Sequence, residues 1–448
     1  MSELQQIAVD VVKQALKAGA TDAECTLSEG EEFSANIRMR EVESLKEAGS
    51  RGVGLRVLIG KHVGNSYTSD LTPDGIGKMI QSAITLASIT TEDPHAGLPE
   101  TDELGSIGNN LNLFSADVRD LEAPFKIQQA RDAEAAALDL DPRITNSEGA
   151  SFETHLGTHA FANSRGFSGD YRNSQCVLSA VPVAQQNGVM ERDYWFSVAR
   201  SFKGLQDAGE VGRIAAQRAL RRLGAVKVET QKAPVVFDQR TARNLLGCIF
   251  EAVNGESIYR QSSFLAGKLG QKIASDNLTV IDDGTIPGLF GTSPFDDEGV
   301  PTRRTAVIQK GVLKSYLLNT YTARKLGMKT TGSASRGITG NASIGHGNLF
   351  IESGDQTPEQ LIASVPDGFY VTELMGFGIN IVTGDYSQGA SGLWIRNGEL
   401  AFPVAEVTIA GNLNQMLQQV EAIGNDLEFR GSTAAPTMKI EEMTIAGR

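Results

Sequence analysis

Glu251 is the residue of this sequence whose surroundings most resemble a helical catalytic site. It lies in the stretch CIFEAVNGES, residues 248–257. Helical metallohydrolase sites place two histidines on one helix so that both reach one zinc, and a neighbouring glutamate polarises the zinc-bound water. No histidine flanks Glu251, and a general base without a metal or a nucleophile has nothing to activate. The residues themselves therefore favour a structural or surface carboxylate at this position.

The five histidines of the chain are scattered, which restricts any metal chemistry. His155 and His159 have the i, i+4 spacing that suits a helix. They lie in a strand-like stretch, however, where four residues span roughly 13 Å, so we expect that one zinc cannot bind both. His346 lies in the glycine-rich loop SIGHGN without a partner nearby in sequence, and we predict a surface histidine there. The two others are His62 and His95.

Three carboxylates are concentrated in the run Asp296 to Glu298, which follows a proline turn. A calcium site needs about six or more oxygens at defined spacing, and the run lacks the alternation of an EF-hand loop. We therefore predict a solvated loop. The GxG pairs in GVGLRV and GFGINIV lack the full phosphate-binding pattern, and no GxSxG nucleophile elbow occurs. From the residues alone, no catalytic site is assembled.

Composition and charge exclude several classes of partner. The formal net charge is −13 over 448 residues, so the protein is expected to repel phosphate backbones, and nucleic acid is not an expected partner. No run of 18 apolar residues occurs, and the first twenty residues lack a signal-peptide pattern. Cys25, Cys176 and Cys248 are too widely spaced for a disulfide framework or a zinc knuckle. We predict a cytoplasmic protein that does not enter a membrane.

The elements that must position these residues begin with an N-terminal α+β domain, predicted over residues 1–228. It starts with an amphipathic helix that ends at Gly19, followed by an antiparallel meander and a helix opened by a Thr-Pro cap. Residues 92–117 read as a turn-rich connector. A helix over about residues 123–140, three long strands, the third of them GVMERDYWFSVARSF, and a closing helix follow. Polar residues then connect this domain to the next one, so we place the domain boundary near residues 225–230.

Residues 229–448 are predicted to form a C-terminal, sheet-rich domain. A strand leads to Asp238, which is expected to cap the helix that carries Glu251. Hairpin turns are predicted at residues 310–311 and 397–398, and a helix over residues 412–424 precedes two final strands. Strands adjoin strands without strict βα alternation. We therefore predict an α+β chain in two parts, with antiparallel β-sheets, packed helices and a larger, sheet-rich C-terminal domain.

Many motifs occur in one order along the second half, among them FEAVNGESIYRQSSFLAGKLGQKI, FDDEGVPTRRTAVIQKGVLKSYLLNTYTARKLGM and VTGDYSQGASGLWIRNGEL. The first half adds EVESLKEAGSRGVGLRVLIGKHVGNSYTSDL and RITNSEGASF. Together they resemble the TldD/PmbA family, and their order and spacing resemble its PmbA (TldE) branch. The resemblance covers nearly the whole chain, and the number of separate motifs makes it specific.

The resemblance implies that this chain belongs to a family of zinc peptidases. It also implies that the chain itself lacks the metal ligands. The active TldD branch carries a His-Glu-three residues-His motif on a helix and a cysteine ligand in the loop after a late GND. Here the corresponding positions are Phe250, Glu251 and Gly255, and the loop after Gly424–Asp426 contains no cysteine. Zinc needs about three suitable donors, and one glutamate cannot hold it. The resemblance therefore implies no metal or cofactor in this chain and a zinc in a TldD-like partner.

Three functional hypotheses follow. In the first, the chain forms a heterodimer with a TldD-like metalloprotease subunit and lines a chamber that holds unfolded or flexible peptides by β-augmentation; the isolated chain is then expected to form homodimers. In the second, it is an adaptor that modulates another protein, such as DNA gyrase, without a role in proteolysis. In the third, it is an independent metallopeptidase that uses scattered histidines. The missing ligands favour the first.

Overall fold

The computed structural model describes residues 1–108 and 110–448. Its elements fall into two runs that build different sheets. The first run consists of α1 (Glu3–Lys17), β1 (Asp22–Arg38), β2 (Glu41–Ile59), β3 (His62–Thr68), α2 (Pro73–Ile89), α3 (Ala116–Arg119), α4 (Ala123–Leu138), β4 (Ile144–Asn163), β5 (Ser168–Gln186), β6 (Val189–Arg192), β7 (Trp195–Ala199) and α5 (Ala208–Leu220).

The second run contains more and shorter elements. It consists of β8 (Gln231–Phe237), α6 (Gln239–Val253), α7 (Gly255–Tyr259), β9 (Val280–Asp283), β10 (Arg304–Gln309), β11 (Val312–Leu313), α8 (Thr320–Leu326), β12 (Ala334–Ser335), β13 (Ser343–Ile344), β14 (Asn348–Ile351), α9 (Pro358–Ala363), β15 (Asp367–Asn380), β16 (Asp385–Arg396), β17 (Glu399–Asn412), α10 (Leu413–Gln418), β18 (Val420–Ile423), β19 (Thr433–Ala434) and β20 (Met438–Ala446).

The strands of the first run form one seven-stranded antiparallel sheet in the order β3-β2-β1-β4-β5-β6, with β7 also paired to β5. This confirms the predicted meander. The turn between β1 and β2 consists of Met39 and Arg40, both with left-handed backbone (φ 49° and 71°). Buried side chains of α1 and α2 pack on one end of one face, and those of α4 and α5 pack on its other end. Alternate residues of β1, such as Gly30, Glu32 and Ser34, point to the opposite face.

The third predicted long strand is wrong, because the structure divides it into the short strands β6 and β7. Between them, the Asp193 carboxylate is buried and lies 3.2 Å from Arg240 and 3.3 Å from Arg218. A buried carboxylate needs such partners to offset its lost hydration. The backbone therefore leaves the ladder where Asp193 turns inward, and the chain rejoins β5 only at Trp195.

The strands of the second run form three sheets. The largest has the order β17-β16-β15-β8-β20-β18, and an additional pairing between β17 and β20 closes it on itself. A five-stranded sheet, β11-β10-β9-β14-β19, lies beside it, and β12 pairs with β13. Helix α6 contributes to a core shared by the two larger sheets. Mainly antiparallel sheets and packed helices in both runs confirm the predicted α+β fold, although β8 pairs with β15, and β14 with β19, in parallel.

Both predicted hairpin turns of the second run are confirmed. Lys310 and Gly311 join β10 to β11 with φ of 46° and 74°, and Asn397 and Gly398 join β16 to β17 with φ of 54° and 78°. Two successive residues with positive φ match the twist of the flanking strands, which explains the recurrent use of glycine at the second position.

The helix predicted over residues 412–424 is wrong in its second half. Helix α10 ends at Gln418, and residues 420–423 form β18, which pairs with β20. Val420 and Ile423 are buried there, opposite Ile440 and Met438. β-Branched side chains suit a pleated surface, and this pairing outweighs the helical periodicity of the preceding turn.

The domain boundary near residues 225–230 stays a prediction, although it falls between the last element of the first run and β8. The connector over residues 92–117 contains no helix or strand in its described part before α3; Asn109 lies outside the described residues. No helix in the described ranges is both long and apolar enough to span a bilayer. The three cysteines are buried and unbridged.

Candidate functional site

Helix α6 begins where the sequence predicts, at the cap residue Asp238. The Asp238 carboxylate accepts a hydrogen bond from the backbone N–H of Thr241 at 2.9 Å, which satisfies a free donor of the first turn. Leu245, Leu246 and Ile249 are almost fully buried in the core of the second half. One face of the helix therefore packs against the core, and this packing fixes the orientation of the last turn, which carries Phe250 and Glu251.

Phe250 is half-buried and packs against this core. Its ring meets the imidazole of His346 edge to face, with centroids 5.0 Å apart and an interplanar angle of 81°. His346 Nδ1 lies 2.8 Å from the carbonyl oxygen of Gly347, and burial lowers the pKa of the imidazole. The prediction of a surface histidine needs correction, because the aromatic contact and the loop backbone half-bury His346.

Glu251 follows Phe250 on the last turn of α6 and is exposed to solvent. Because the buried face of α6 points toward the core, the Glu251 carboxylate points away from the residues on which Phe250 packs. Across the described residues, Glu251 belongs to no group of three or more His, Cys, Asp or Glu side chains that could hold a metal ion.

Gly255 starts the short helix α7. Asn254 caps this helix, and its side-chain oxygen accepts a hydrogen bond from the N–H of Glu256 at 2.9 Å. Gly255 does not have positive φ, so the C-terminal stop predicted for α6 is made without a left-handed glycine. A Cβ at Gly255 would lie 2.6 Å from Leu318 Cδ2 and 2.8 Å from Thr322 Oγ1. The position leaves no space for a side chain of imidazole size.

The loop after Asp426 is held by hydrogen bonds and an arginine–aromatic contact. Asp426 accepts hydrogen bonds from the N–H and the hydroxyl of Thr437 at 2.9 and 2.7 Å. The guanidinium of Arg430 lies 3.8 Å from the ring centroid of Trp195 and donates to the carbonyl of Phe196 at 2.7 Å. The loop is thus tied to the first sheet through cation–π and hydrogen-bond contacts.

The residues at these positions do not fit zinc. Phe250 and Gly255 offer no donor atom, and residues 427–438 contain no cysteine, whereas zinc is held by about three or four nitrogen, sulfur or oxygen donors. Across residues 1–108 and 110–448, no three or more His, Cys, Asp or Glu side chains are grouped so that they could hold a metal ion. We derive no catalytic step through a metal in this chain.

His155 and His159 lie on strand β4. His159 Nε2 is 3.6 Å from the Asp297 carboxylate, and burial lowers the pKa of this imidazole. His155 Nδ1 is 3.7 Å from the Glu32 carboxylate. Each histidine therefore meets a different carboxylate, and the strand keeps the two rings apart.

The run Asp296 to Glu298 is not the solvated loop that the sequence predicts. Asp296 and Glu298 are 6% and 4% exposed. Asp296 accepts hydrogen bonds from the backbone N–H groups of Glu298, Val300 and Ala334 at 2.9–3.0 Å. These donors offset the burial of the carboxylate. Burial, reinforced by the nearby Glu298, still raises the pKa of Asp296.

A second buried polar group joins the two halves of the chain, and we call it the junction cluster: Glu24, Thr26, Arg56 and Arg336. The Glu24 carboxylate accepts from Arg56 at 3.0 Å and from Arg336. Arg336 also donates to Thr26 Oγ1 at 2.8 Å. The second oxygen of Glu24 has no hydrogen-bond partner among the described residues. No sequence signal reveals this cluster, because Glu24 and Arg336 are 312 positions apart.

The helix-free face of the first sheet carries a shallow concavity of about 450 Å³. Most of the side chains that line it are polar, and they come from the interior of strands β1, β2, β4 and β5. The side chains that face it are Glu32, Ser34, Lys46, Glu153, His155, Gln175 and Val177. Such a surface offers hydrogen-bond donors and acceptors beside apolar surface that includes Val177.

Comparison with known proteins gives a consistent result along the chain. Three family models match: PmbA/TldA metallopeptidase domain 1 over residues 23–87, the central domain over residues 116–223 and the C-terminal domain over residues 230–447. The metalloprotease PmbA of Escherichia coli O157:H7 is 39% identical over 435 residues, 97% of this chain and 94% of that protein.

Haemophilus influenzae contains two relatives. Its metalloprotease PmbA homolog is 35% identical over 445 residues, 99% of this chain and 96% of that protein. Its metalloprotease TldD homolog is 24% identical over 427 residues, 89% of this chain and 87% of that protein.

Solved structures share the whole fold. A protein from Bacteroides thetaiotaomicron, described as a candidate modulator of DNA gyrase, superimposes with a TM-score of 0.93 at 30% identity and 100% coverage of both chains. TldE from Thermococcus kodakarensis has a TM-score of 0.89 at 22% identity, over 98% of this chain and 100% of that one, and it supports the fold alone.

Proposed function

Because the chain belongs to the PmbA/TldD metallopeptidase family, we propose that it is the non-catalytic, TldE-like subunit of a two-chain zinc peptidase. The observation that carries this proposal is the state of α6 and α7. Phe250 is packed against His346, and Gly255 has no room for a Cβ. Both ligand positions of the helix are therefore used for packing. The zinc, with its bound water, would be supplied by the TldD-like partner.

In proteolysis, this chain would help to form the chamber and would hold the peptide. The helix-free face of the first sheet supports this role, since its concavity is wide and polar. Long antiparallel strands can also accept an extended peptide by β-augmentation, which uses backbone hydrogen bonds and sets little sequence preference. Unfolded or flexible peptides fit such a surface, whereas a folded protein exposes few free backbone groups.

The proposed partner is a paralogue of this chain. Haemophilus influenzae contains both a PmbA homolog and a TldD homolog that match this chain over most of their lengths, as expected for two subunits of one enzyme. A chain purified without its partner is then expected to pair with itself, because the same surface is left uncovered. We place the complex in the cytoplasm on the basis of the buried, unbridged cysteines.

An adaptor role remains the second candidate, and one observation favours it: the Bacteroides thetaiotaomicron structure is described as a candidate modulator of DNA gyrase. That description belongs to the other protein. Under this alternative the chain would bind gyrase without a metallopeptidase chain, so the two proposals predict different complexes.

Co-expression separates the two. This chain, carrying an affinity tag, is produced with the histidine-bearing paralogue of the same genome, and the purified material is examined by native mass spectrometry and by cleavage of an unstructured fluorogenic peptide. We expect a one-to-one complex that contains zinc and cleaves only when both chains are present. Recovery of gyrase without any TldD-like chain, or full cleavage by the paralogue alone, would contradict the proposal.

A further inference from the structure

A cavity of about 270 Å³ lies where the second half of the chain meets the connector of the first half. Helices α7 and α8, residues 341–344 and connector residues 93–97 form its walls. Its rim is solvent-exposed, whereas Arg56 and Glu298 line it as buried side chains, 8% and 4% exposed. The volume lies just below the range of drug-sized ligand sites, so it suits a ligand of about one or two amino-acid residues.

Glu298 is a buried carboxylate that lacks an ion pair with any described basic residue. One of its oxygens accepts a hydrogen bond from the N–H of Thr320 at 2.9 Å. The nearby Arg56 pairs instead with Glu24 at 3.0 Å and donates to Asn341 at 3.1 Å. Burial, together with the nearby Glu24, raises the pKa of Glu298, and a cation bound beside this carboxylate would favour its ionised form. A cationic group can reach Glu298 from the cavity.

The charged residues that line the cavity are three carboxylates and two arginines. Of the basic residues that line it, Arg56 is paired with Glu24, and Arg260 is paired with Glu256 at 2.8 Å. Within the lining, Glu298 and Asp93 therefore have no basic partner, and a further cation, Lys325, lies beside the lining residues Tyr259 and Tyr321. A cationic group is the complementary ligand.

Two aromatic side chains complete the arrangement. The rings of Tyr259 and Tyr321 lie in the wall, 6.2 Å apart and nearly perpendicular, with an interplanar angle of 77°. The ammonium of Lys325 lies 5.7 and 5.3 Å from their centroids. This geometry is typical of cation–π attraction, and it shows that the pair of rings already favours an ammonium group on one side.

We propose that this cavity binds the primary ammonium group of a short peptide, with Glu298 as its counter-charge and Tyr259 and Tyr321 as its walls. Either an N-terminal ammonium or a lysine side chain supplies this chemistry. The inference goes beyond the proposed function, since it concerns binding by this chain itself and does not require the partner subunit or its zinc.

The test is a titration of the full-length chain, alone, at pH 7 with three peptides of one short unstructured sequence. The first has a free N-terminus and no lysine, the second is N-acetylated and carries one lysine, and the third is N-acetylated without lysine. We expect the first or the second to bind at least about 10-fold more tightly than the third, since a charge-assisted hydrogen bond to a buried carboxylate is involved. Equal affinities for all three would overturn the proposal. The stronger of the first two identifies the source of the ammonium group.

Variants then assign the effect to the site. Glu298→Gln keeps an acceptor for Thr320 and is expected to weaken binding by about 10- to 100-fold. The matched control is Glu134→Gln, a carboxylate that is 1% exposed and accepts backbone N–H groups of residues 39 and 40, outside the cavity; its affinity should be unchanged. If Glu298→Gln fails to fold, Tyr259→Ala decides, with an expected loss of about 3- to 10-fold. Wild-type affinity in folded Glu298→Gln, or in Tyr259→Ala, would overturn the proposal.

Discussion

Helix α6 and the junction cluster use polar side chains in opposite ways. At the end of α6 and the start of α7, an aromatic ring and a glycine occupy the positions where the resemblance implies metal ligands, and Glu251 is exposed to solvent. In the junction cluster, Glu24 and Arg336 are almost completely removed from water and hydrogen-bonded across the two halves. One region is built from packing contacts, while the other contains buried, paired charges.

The difference indicates where this chain needs fixed geometry. Burying charged groups costs free energy unless each is paired and hydrogen-bonded. Because this cluster joins the two halves of the chain, we infer that it fixes their relative position. A subunit that shapes a chamber for another subunit's metal needs its halves fixed and needs no ligands of its own. A fixed junction between the halves and the absence of metal ligands at α6 are therefore the two features that the proposed function requires.

The largest expected effect comes from breaking the junction cluster. Arg336→Ala removes one of two cationic partners of Glu24 and leaves a buried carboxylate undercompensated. We expect the free energy of unfolding to fall by roughly 3–5 kcal/mol, measured by urea denaturation. The control is Lys78→Ala, which breaks an exposed pair with Asp74 at 2.7 Å and should change the free energy by less than about 1 kcal/mol. Similar losses in both variants would contradict the distinction between buried and exposed charge.

The second prediction concerns Asp282, a buried carboxylate that lacks the ion pairs of the junction cluster, and it is a dependence of stability on pH. Burial raises the pKa of Asp282 from 3.8 to about 7, and its Oδ1 has no hydrogen-bond partner among the described residues. The folded state therefore holds a proton between about pH 4 and pH 7 that the unfolded state releases, so this residue's contribution to stability falls as the pH rises through that window.

Asp282→Asn removes this titration. Relative to wild type, we expect the variant to gain roughly 2–4 kcal/mol in the free energy of unfolding between pH 4 and pH 8. The measurement is urea denaturation of both proteins across this range, and their difference isolates the single group. A difference that does not change with pH would show that Asp282 has no raised pKa in the folded state.

The glycine at the start of α7 gives a smaller effect with a matched control. Gly255→Ala places a Cβ 2.6 Å from Leu318 Cδ2 and 3.0 Å from the carbonyl of Leu317, and overpacking of this kind destabilises by about 1–3 kcal/mol. Gly247→Ala in α6 meets nothing within 4 Å and is expected to stabilise by about 0.5–1 kcal/mol. Thermal unfolding of the two variants should shift in opposite directions. A stable Gly255→Ala protein would mean that the position could hold a side chain after all.

Local signals account for most of the elements. The cap at Asp238, the glycine after α1 and both hairpin turns follow from short-range chemistry that the sequence displays directly. The errors occur where a distant partner decides. Residues 420–423 form a strand because β20 lies beside them, and the third long strand is divided because Asp193 pairs with Arg240.

The candidate sites show the same limit more strongly. Residue types alone identify Glu251 as a position of interest, and only the resemblance adds Phe250 and Gly255. They do not reveal that Glu298 is buried, because the residues that bury it are brought together only by the fold. His346 likewise has no partner in sequence, yet it packs against Phe250, nearly one hundred positions away.

The most direct test of the account is the activity of the two-chain complex after Glu251→Ala in this chain. Peptide cleavage is compared with that of the wild-type complex and of Glu210→Ala, another exposed helical glutamate, and assembly of each complex is verified by native mass spectrometry. Since Glu251 is exposed and has no neighbouring metal ligands in this chain's described residues, we predict that kcat and KM are unchanged in both variants. Loss of turnover in Glu251→Ala, with the complex intact and Glu210→Ala fully active, would contradict a non-catalytic role for this subunit.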